Sequence, residues 1–183
     1  LGVNEDASTS VSLRDAFTVE FWFQLSVPMS PGSGTQFLLS GHSSLVSDTV
    51  FCYDSYWYIA IGDPGSDNLG SMSLVRASYN DGSCDNFPDP VTLVGRGTYT
   101  QDVISSQRTT WAAGVWYHIA IVHEGAGNSL KIMIDDATDY EDSNAATGLG
   151  DLHDIRVGNV VHEAYNADMP ELSFTGLIHS ISI

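Results

Sequence analysis

The chain has 183 residues, of which 43% are hydrophobic and 16% are charged, and its 23 acidic residues far outnumber its 6 lysines and arginines. This length fits one large all-β domain, which we expect to span residues 1–183. The formal net charge of −17 argues against nucleic-acid binding and against contact with anionic membranes. The sequence also lacks the run of roughly 18 apolar residues that a membrane helix needs. We therefore expect an acidic domain without membrane insertion. Salt or divalent cations would reduce the repulsion among its acidic side chains.

The first strong pattern in chain order predicts a strand over residues 17–25. Its apolar residues alternate strictly with Thr18, Glu20, Trp22 and Gln24, and a period of two is typical of a strand with one buried face. Shorter apolar runs predict further strands, in order, at residues 37–39, 50–61, 72–75, 91–94 and 99–104.

The second half of the chain continues the same pattern. Residues 116–123 are apolar in both phases, which predicts a strand buried on both faces, and residues 129–135 alternate again. The acidic run at residues 135–142 follows that strand and predicts a solvated turn. Clusters of Gly, Pro, Asn, Asp and Ser separate the strands, and no segment holds a helical period, so the sequence predicts a sandwich or jelly roll. Residues 62–110 are more irregular and predict long loops at one rim.

The chain contains two cysteines, Cys52 and Cys84. In an exported protein these cysteines would form a disulfide, and closing a loop of about 30 residues stabilises a fold by roughly 3–4 kcal/mol in the chain-entropy model. The alternative is a pair of unrelated free thiols.

Five segments resemble one known family. They are F-T-V-E-F-W-F-Q-L at residues 17–25, W-Y-H-I-A-I-V-H-E-G at 116–125, S-L-K-I-M-I-D-D at 129–136, I-R-V-G-N at 155–159 and F-T-G-L-I-H-S-I-S-I at 174–183. Their order resembles the laminin G-like branch of the concanavalin A-like lectin/glucanase superfamily, which includes the pentraxins. The resemblance implies an all-β fold, a two-sheet antiparallel β-sandwich of the jelly-roll type, whose last strand returns beside the first.

The sequence departs from this family at two places. Asp135 and Asp136 follow Ile134 where the family has a V-D-G turn, so we expect a different turn geometry there. His179 stands where the family usually has Asp.

Catalysis has no support in the sequence, although the superfamily contains glycoside hydrolases. Retaining glycosidases use two carboxylates about 5 Å apart, commonly delivered by an E-x-D-x-x-E strand, and that pattern is absent. The six histidines are scattered and form no cluster of the kind that binds zinc. We therefore expect no enzyme activity.

Calcium is the candidate cofactor, because it prefers six to eight oxygen ligands and the loops are rich in carboxylates and amides. The resemblance implies a site at the sandwich rim formed by two loops, which by position contribute Asp48, Asn159, Glu163, Asn166 and Asp168. A second option uses Asp63, Asp67, Asp81 and Asp85. The alternative is that these residues form ordinary Asx turns.

Aromatic residues in loops without a strand period are candidates for stacking on a sugar: Tyr79, Phe87, Trp111 and Tyr165. The sequence thus predicts a non-catalytic extracellular or cell-surface module that binds glycans or glycosylated surfaces at a loop rim, with calcium as a possible participant. The alternative is a structural or self-assembling domain of a larger surface or filament protein, with protein partners that include copies of itself.

Overall fold

The computed structural model describes residues 2–3, 11–13, 16–47, 50–62, 70–79, 99–125, 129–143, 150–152, 154–158 and 174–183. The regular elements within these ranges are all strands: β1 (Gly2–Val3), β2 (Val11–Leu13), β3 (Ala16–Leu25), β4 (Gln36–Ser47), β5 (Val50–Ile61), β6 (Met72–Tyr79), β7 (Tyr99–Ser105), β8 (Trp116–Glu124), β9 (Leu130–Ile134), β10 (Ala137–Asp142), β11 (Gly150–Leu152), β12 (Asp154–Val157) and β13 (Gly176–Ser182). Across this part of the chain, no helix is long and apolar enough to span a membrane.

The strands form two main antiparallel sheets. A six-stranded sheet has the order β1-β12-β4-β5-β6-β7, a five-stranded sheet has the order β10-β9-β8-β3-β13, and β11 pairs with β2. One core cluster joins Phe21 and Phe23 of the five-stranded sheet to Leu39 and Ile59 of the six-stranded sheet. The predicted two-sheet antiparallel β-sandwich is therefore confirmed.

Alternation along β3 shows why these residues form a sandwich. Val19, Phe21 and Phe23 are fully buried, whereas the residues between them face outward. Burying each such side chain stabilises the fold by roughly 1.5–3 kcal/mol, so the register of β3 is strongly fixed. The predicted strand over residues 17–25 is confirmed.

Strand β8 corrects the expectation of burial on both faces. Ile119 and Ile121 are fully buried against the core, but Trp116 is 41% exposed and Ala120 and Val122 are half-buried. The apolar residues in the outer phase of β8 therefore lie on a surface that neighbouring side chains cover only in part.

The β9–β10 hairpin turns at Asp135 and Asp136, whose φ angles are 52° and 65°. Positive φ at both central positions is the signature of a type I′ turn, which tolerates Asp better than most side chains. Because Asp-Gly turns favour this same type I′ geometry, the turn differs from the family's V-D-G in sequence but does not show the expected change of geometry. The expected solvated turn over residues 135–142 is wrong, because residues 137–142 form β10, which pairs with β9 and packs Tyr140 against the core.

The closing strand β13 pairs with β3, as the family resemblance implies. A bulge lies between His179 and Ser182, and Ser180 within it has a φ of 55°. Two other predictions lie beyond the described residues. These are the strand at residues 91–94 and the Cys52–Cys84 disulfide, since Cys84 is not described, and both stay predictions.

Candidate functional site

Most of the predicted rim site lies outside the described residues. This applies to Asp48, Asn159, Glu163, Asn166, Asp168, Phe87, Tyr165 and the second carboxylate set at residues 63, 67, 81 and 85. Tyr79 is the last residue of β6 and pairs in register with Tyr99. No group of three or more His, Cys, Asp or Glu side chains among the described residues is arranged to hold a metal ion. The calcium site therefore stays a prediction.

Trp111 does not fit the ligand-contact role that its loop position suggested. Its side chain is 1% exposed, and its Nε1 donates a hydrogen bond to the carbonyl of Gly70 at 2.8 Å. The ring packs at 5.5 Å from Phe23 and 5.1 Å from Tyr117, measured between ring centroids. Trp111 is a core residue, because the loop that carries it folds inward where its polar N–H finds a backbone acceptor.

An exposed aromatic surface lies instead on the outer face of the five-stranded sheet. In the β3–β8 pair, Trp22 stands opposite His118 and Gln24 stands opposite Trp116. Directly opposite residues of an antiparallel pair share one face of the sheet. Pairing of β13 with β3 adds two more residues to that face, so the surface consists of Trp22, Gln24, Trp116, His118, Leu177 and His179, and we call it the tryptophan face.

The apolar members of the tryptophan face are unusually exposed for their size. Trp22 is 40%, Trp116 41% and Leu177 57% exposed, whereas the other two tryptophans of the chain, Trp57 and Trp111, are each 1% exposed. Leaving that much of one indole in water forgoes roughly 2 kcal/mol of apolar burial. Single exposed apolar residues are ordinary, but large ones grouped on one sheet face mark an interaction surface.

His118 holds the Trp22 indole in place. The two rings stack with centroids 4.7 Å apart and planes inclined by 26°. His118 Nε2 lies 2.8 Å from Glu20 Oε1, and His118 Nδ1 lies 3.2 Å from Asp136 Oδ1. Both edges of the imidazole are thus anchored, which fixes the surface against which Trp22 rests.

The second indole has its own supports. The Trp116 ring meets His179 edge-on, with centroids 6.4 Å apart. Gln24, which stands opposite Trp116, donates from Nε2 to the carbonyl of Gly114 at 2.8 Å. The strand that carries Trp116 and the loop before it are therefore both held by hydrogen bonds.

The hairpin turn connects the tryptophan face to the core. Asp135 Oδ1 accepts a hydrogen bond from the His118 backbone N–H at 3.0 Å, and Asp135 Oδ2 accepts one from Arg108 Nη1 at 3.3 Å. The Arg108 guanidinium in turn lies over the rings of Trp111 and Tyr117, at 5.3 and 5.0 Å from their centroids. Contacts of this kind restrict the turn that carries Asp136.

Charge around the tryptophan face is mainly negative. The Glu20 and Asp136 side chains are 46% and 90% exposed. Lys131, further along the outer surface of the sheet, lies 2.9 Å from Glu124 and 3.7 Å from Glu141. The hydrogen bond between Lys131 and Glu124 lowers the pKa of Glu124 and raises the pKa of Lys131, so this ion pair is formed across the neutral range.

Trp22 and Trp116 were missed as ligand contacts because strand aromatics of a sandwich are usually core residues. A usable signal was nevertheless present, since Trp22 occupies the polar phase of β3, between Glu20 and Gln24. A large aromatic in the outward phase of an otherwise regular strand predicts an exposed ring.

No protein-family model and no curated protein matches the chain. Solved structures do match. The native heptameric SAP-like pentraxin from Limulus polyphemus aligns with a TM-score of 0.54 at 11% sequence identity, over 96% of this chain and 66% of that chain. The CBM40 of the Ruminococcus gnavus IT-sialidase aligns with a TM-score of 0.52 at 12% identity, over 98% of this chain and 88% of that chain.

This chain thus spans just under two thirds of the pentraxin chain, at 66% of its length. At such low identities the similarity concerns the fold alone. Within this chain, β13 lies beside β3, as the strand sequences predict. The chain has a two-sheet jelly-roll fold like that of this pentraxin and this CBM40.

Proposed function

We propose that this protein is a non-catalytic recognition module that binds glycans through the tryptophan face. One observation carries the proposal: Trp22 and Trp116 are 40% and 41% exposed on the same outer face of one sheet. Their positions are diagonal neighbours across the β3–β8 pair, which corresponds to about 7–8 Å between backbones. Two indoles at that spacing, held by strands rather than loops, form a rigid platform for the apolar faces of sugar rings.

Polar groups beside the indoles can take sugar hydroxyls. Gln24 and His179 lie on the same face as the indoles, in adjacent rows of the sheet. The amide of Gln24 offers both donor and acceptor atoms, and an imidazole offers one of each when neutral. A few fixed polar groups beside aromatic rings are the usual composition of a small-molecule site.

The carboxylates near the tryptophan face favour binding over catalysis. Glycoside hydrolysis needs two carboxyl groups that face each other across the scissile bond. Glu20 and Asp136 instead bond to opposite nitrogens of the single His118 ring. This arrangement supports a structural role for both carboxylates, which is to hold the His118 ring on which Trp22 stacks.

A module of this kind would act outside the cell or at its surface, where glycans are displayed. We keep calcium in the proposal as a rim ligand, on the donor chemistry of Asp48, Asn159, Glu163, Asn166 and Asp168. The matching sialidase segment is a CBM40, a class of carbohydrate-binding module, which is compatible with glycan binding on this fold.

Binding to a panel of soluble polysaccharides in native affinity gels tests the proposal. We expect retardation of the wild-type protein by at least one of them, and at least about a tenfold loss of affinity in Trp22→Ala and in Trp116→Ala, since roughly 1.4 kcal/mol corresponds to a factor of ten. Val103→Ala is the matched control, because Val103 is also 40% exposed but belongs to the six-stranded sheet. Equal retardation of all four proteins would show that the tryptophan face is not the site.

Self-assembly is the second candidate function, and the edge strand β13 favours it. Within the described residues β13 pairs only with β3, and Leu177, Ile181 and Ile183 are 57%, 38% and 39% exposed. An exposed apolar edge strand can pair with a second copy. Sedimentation at increasing concentration separates the two functions: glycan recognition predicts a monomer, and assembly predicts a dimer that Leu177→Glu disrupts.

A further inference from the structure

The charges around the tryptophan face bear on which sugars it can accept. Glu20 lies one row from Trp22 on β3, and Asp136 lies on the other side of His118. Their side chains are 46% and 90% exposed, so both carboxylates reach the water that covers the indoles. Because both carboxylates contact the His118 ring on which Trp22 stacks, a ligand bound at Trp22 would be exposed to their charge.

The described cations nearest to this face are already engaged. Arg108 bonds to Asp135, and its guanidinium lies against the rings of Trp111 and Tyr117, although its side chain is 36% exposed. Lys131 pairs with Glu124 and Glu141. Recognition of a carboxylate or sulfate normally uses an available Arg or Lys, and neither residue type occurs among the six members of the tryptophan face.

The two histidines of the face have different surroundings. Both ring nitrogens of His118 contact carboxylate oxygens, of Glu20 and Asp136, so neither nitrogen is directed at a ligand. His179 is exposed and meets Trp116 edge-on, and its ring nitrogens can hydrogen-bond a hydroxyl. The net charge of −17 adds a long-range repulsion of the same sign.

We propose that the tryptophan face selects uncharged glycans and discriminates against sialylated, sulfated and uronic-acid glycans. This inference rests on the proposed function. It deepens that function by assigning a ligand class, with stacking on the indoles as the attraction and the carboxylates of Glu20 and Asp136 as the source of exclusion.

Matched probe pairs test this selectivity. The pairs are hydroxyethyl cellulose and carboxymethyl cellulose, dextran and dextran sulfate, and lactose and 3′-sialyllactose, measured by affinity gels for the polymers and by calorimetry for the sugars at 0.05 M NaCl. We expect at least one neutral probe to bind at least about tenfold more tightly than its anionic partner. Equal or tighter binding of the anionic partners would overturn the selectivity and leave glycan binding intact. Binding of no probe in any pair would overturn glycan binding by this face, and the selectivity with it.

Salt and charge-neutral variants test whether electrostatics cause the selectivity. Raising NaCl to 0.5 M should reduce the preference for the neutral probe severalfold, because repulsion between exposed charges is screened over a few ångströms at high salt. Glu20→Gln and Asp136→Asn each remove a charge but keep a hydrogen-bonding oxygen. Each should reduce the preference for the neutral probe about two- to fivefold. A general loss of structure would weaken binding of both probes and leave the ratio of their affinities unchanged. A preference that is constant in salt and in both variants would contradict an electrostatic origin.

Discussion

At the residue scale, His118 is the side chain on which the geometry of the tryptophan face depends. It stacks on Trp22 at 4.7 Å, and its two ring nitrogens contact carboxylates that come from different strands or turns. An exposed indole on a strand can rotate among rotamers unless a neighbour restricts it. The imidazole supplies that restriction, so we assign His118 a positioning task beneath the proposed ligand.

His118→Ala should therefore loosen Trp22 and weaken glycan binding about tenfold, with a loss of unfolding free energy of about 1–2 kcal/mol. Acrylamide quenching in a Trp116→Phe background measures the first effect directly, because Trp57 and Trp111 are each 1% exposed and contribute little. We expect Trp22 to be quenched more strongly once the imidazole is removed. Unchanged quenching together with unchanged affinity would show that Trp22 holds its orientation without His118.

Trp22 and Trp111 show what the sequence could and could not predict at this scale. The outward phase of Trp22 is visible in the alternation of β3, because that phase is a local property. The burial of Trp111 is not visible locally, since it depends on an acceptor at Gly70 and a stacked Arg108 that the fold brings together. The position of Trp111 in a loop was therefore not enough to predict whether its side chain is exposed.

At the element scale, the β9–β10 hairpin links the core to the tryptophan face. Its turn residues Asp135 and Asp136 both have positive φ, but their side chains have different tasks. Asp135 accepts hydrogen bonds from the His118 backbone and from Arg108, whereas the 90%-exposed Asp136 side chain contacts Nδ1 of the His118 ring. The sequence showed that Asp136 replaces the family's turn glycine, yet it did not predict β10, because the acidic composition of residues 137–142 conceals the pairing with β9.

Substitutions in this turn should differ in their effects on stability. Asp135→Ala should cost about 2 kcal/mol, because it removes both acceptors and leaves an alanine at positive φ. Asp136→Gly should lie within about 0.5 kcal/mol of the wild type, since glycine relieves the strain of positive φ while an exposed contact is lost. Urea unfolding of both variants measures the difference, and equal costs would contradict the separate tasks of the two aspartates.

At the scale of the whole molecule, the fold was predictable and the ligand surface was not. Alternating strands, turn residues and the five family-like segments determine the sandwich, because each is a repeated local signal with one consistent arrangement. The binding face needs the pairing of β8, β3 and β13, which places residues from three distant segments side by side. Such pairing cannot be derived from any one of the strands alone.

The net charge of −17 makes the molecule sensitive to ions. We expect Tm to rise between 0.01 and 0.15 M NaCl, because salt screens the repulsion among acidic side chains.

If the proposed rim site binds calcium, Ca²⁺ at about 100 times its Kd adds roughly 2.7 kcal/mol to the free energy of unfolding and raises Tm by about 5–10 °C, whereas Mg²⁺ at the same ionic strength does not. Coincident melts with calcium and with chelator would remove calcium from the proposal without affecting the tryptophan face.

The central claim is that glycans bind at Trp22 and Trp116, and the four indole N–H signals of the chain test it most directly. We would record two-dimensional ¹⁵N NMR spectra during titration with the neutral probe that binds most tightly. Specific movement or broadening of the Trp22 and Trp116 signals, with those of the buried Trp57 and Trp111 unchanged, is the predicted result. Saturable binding that leaves the Trp22 and Trp116 signals in place would contradict the claim and move the site to another surface, such as the rim loops.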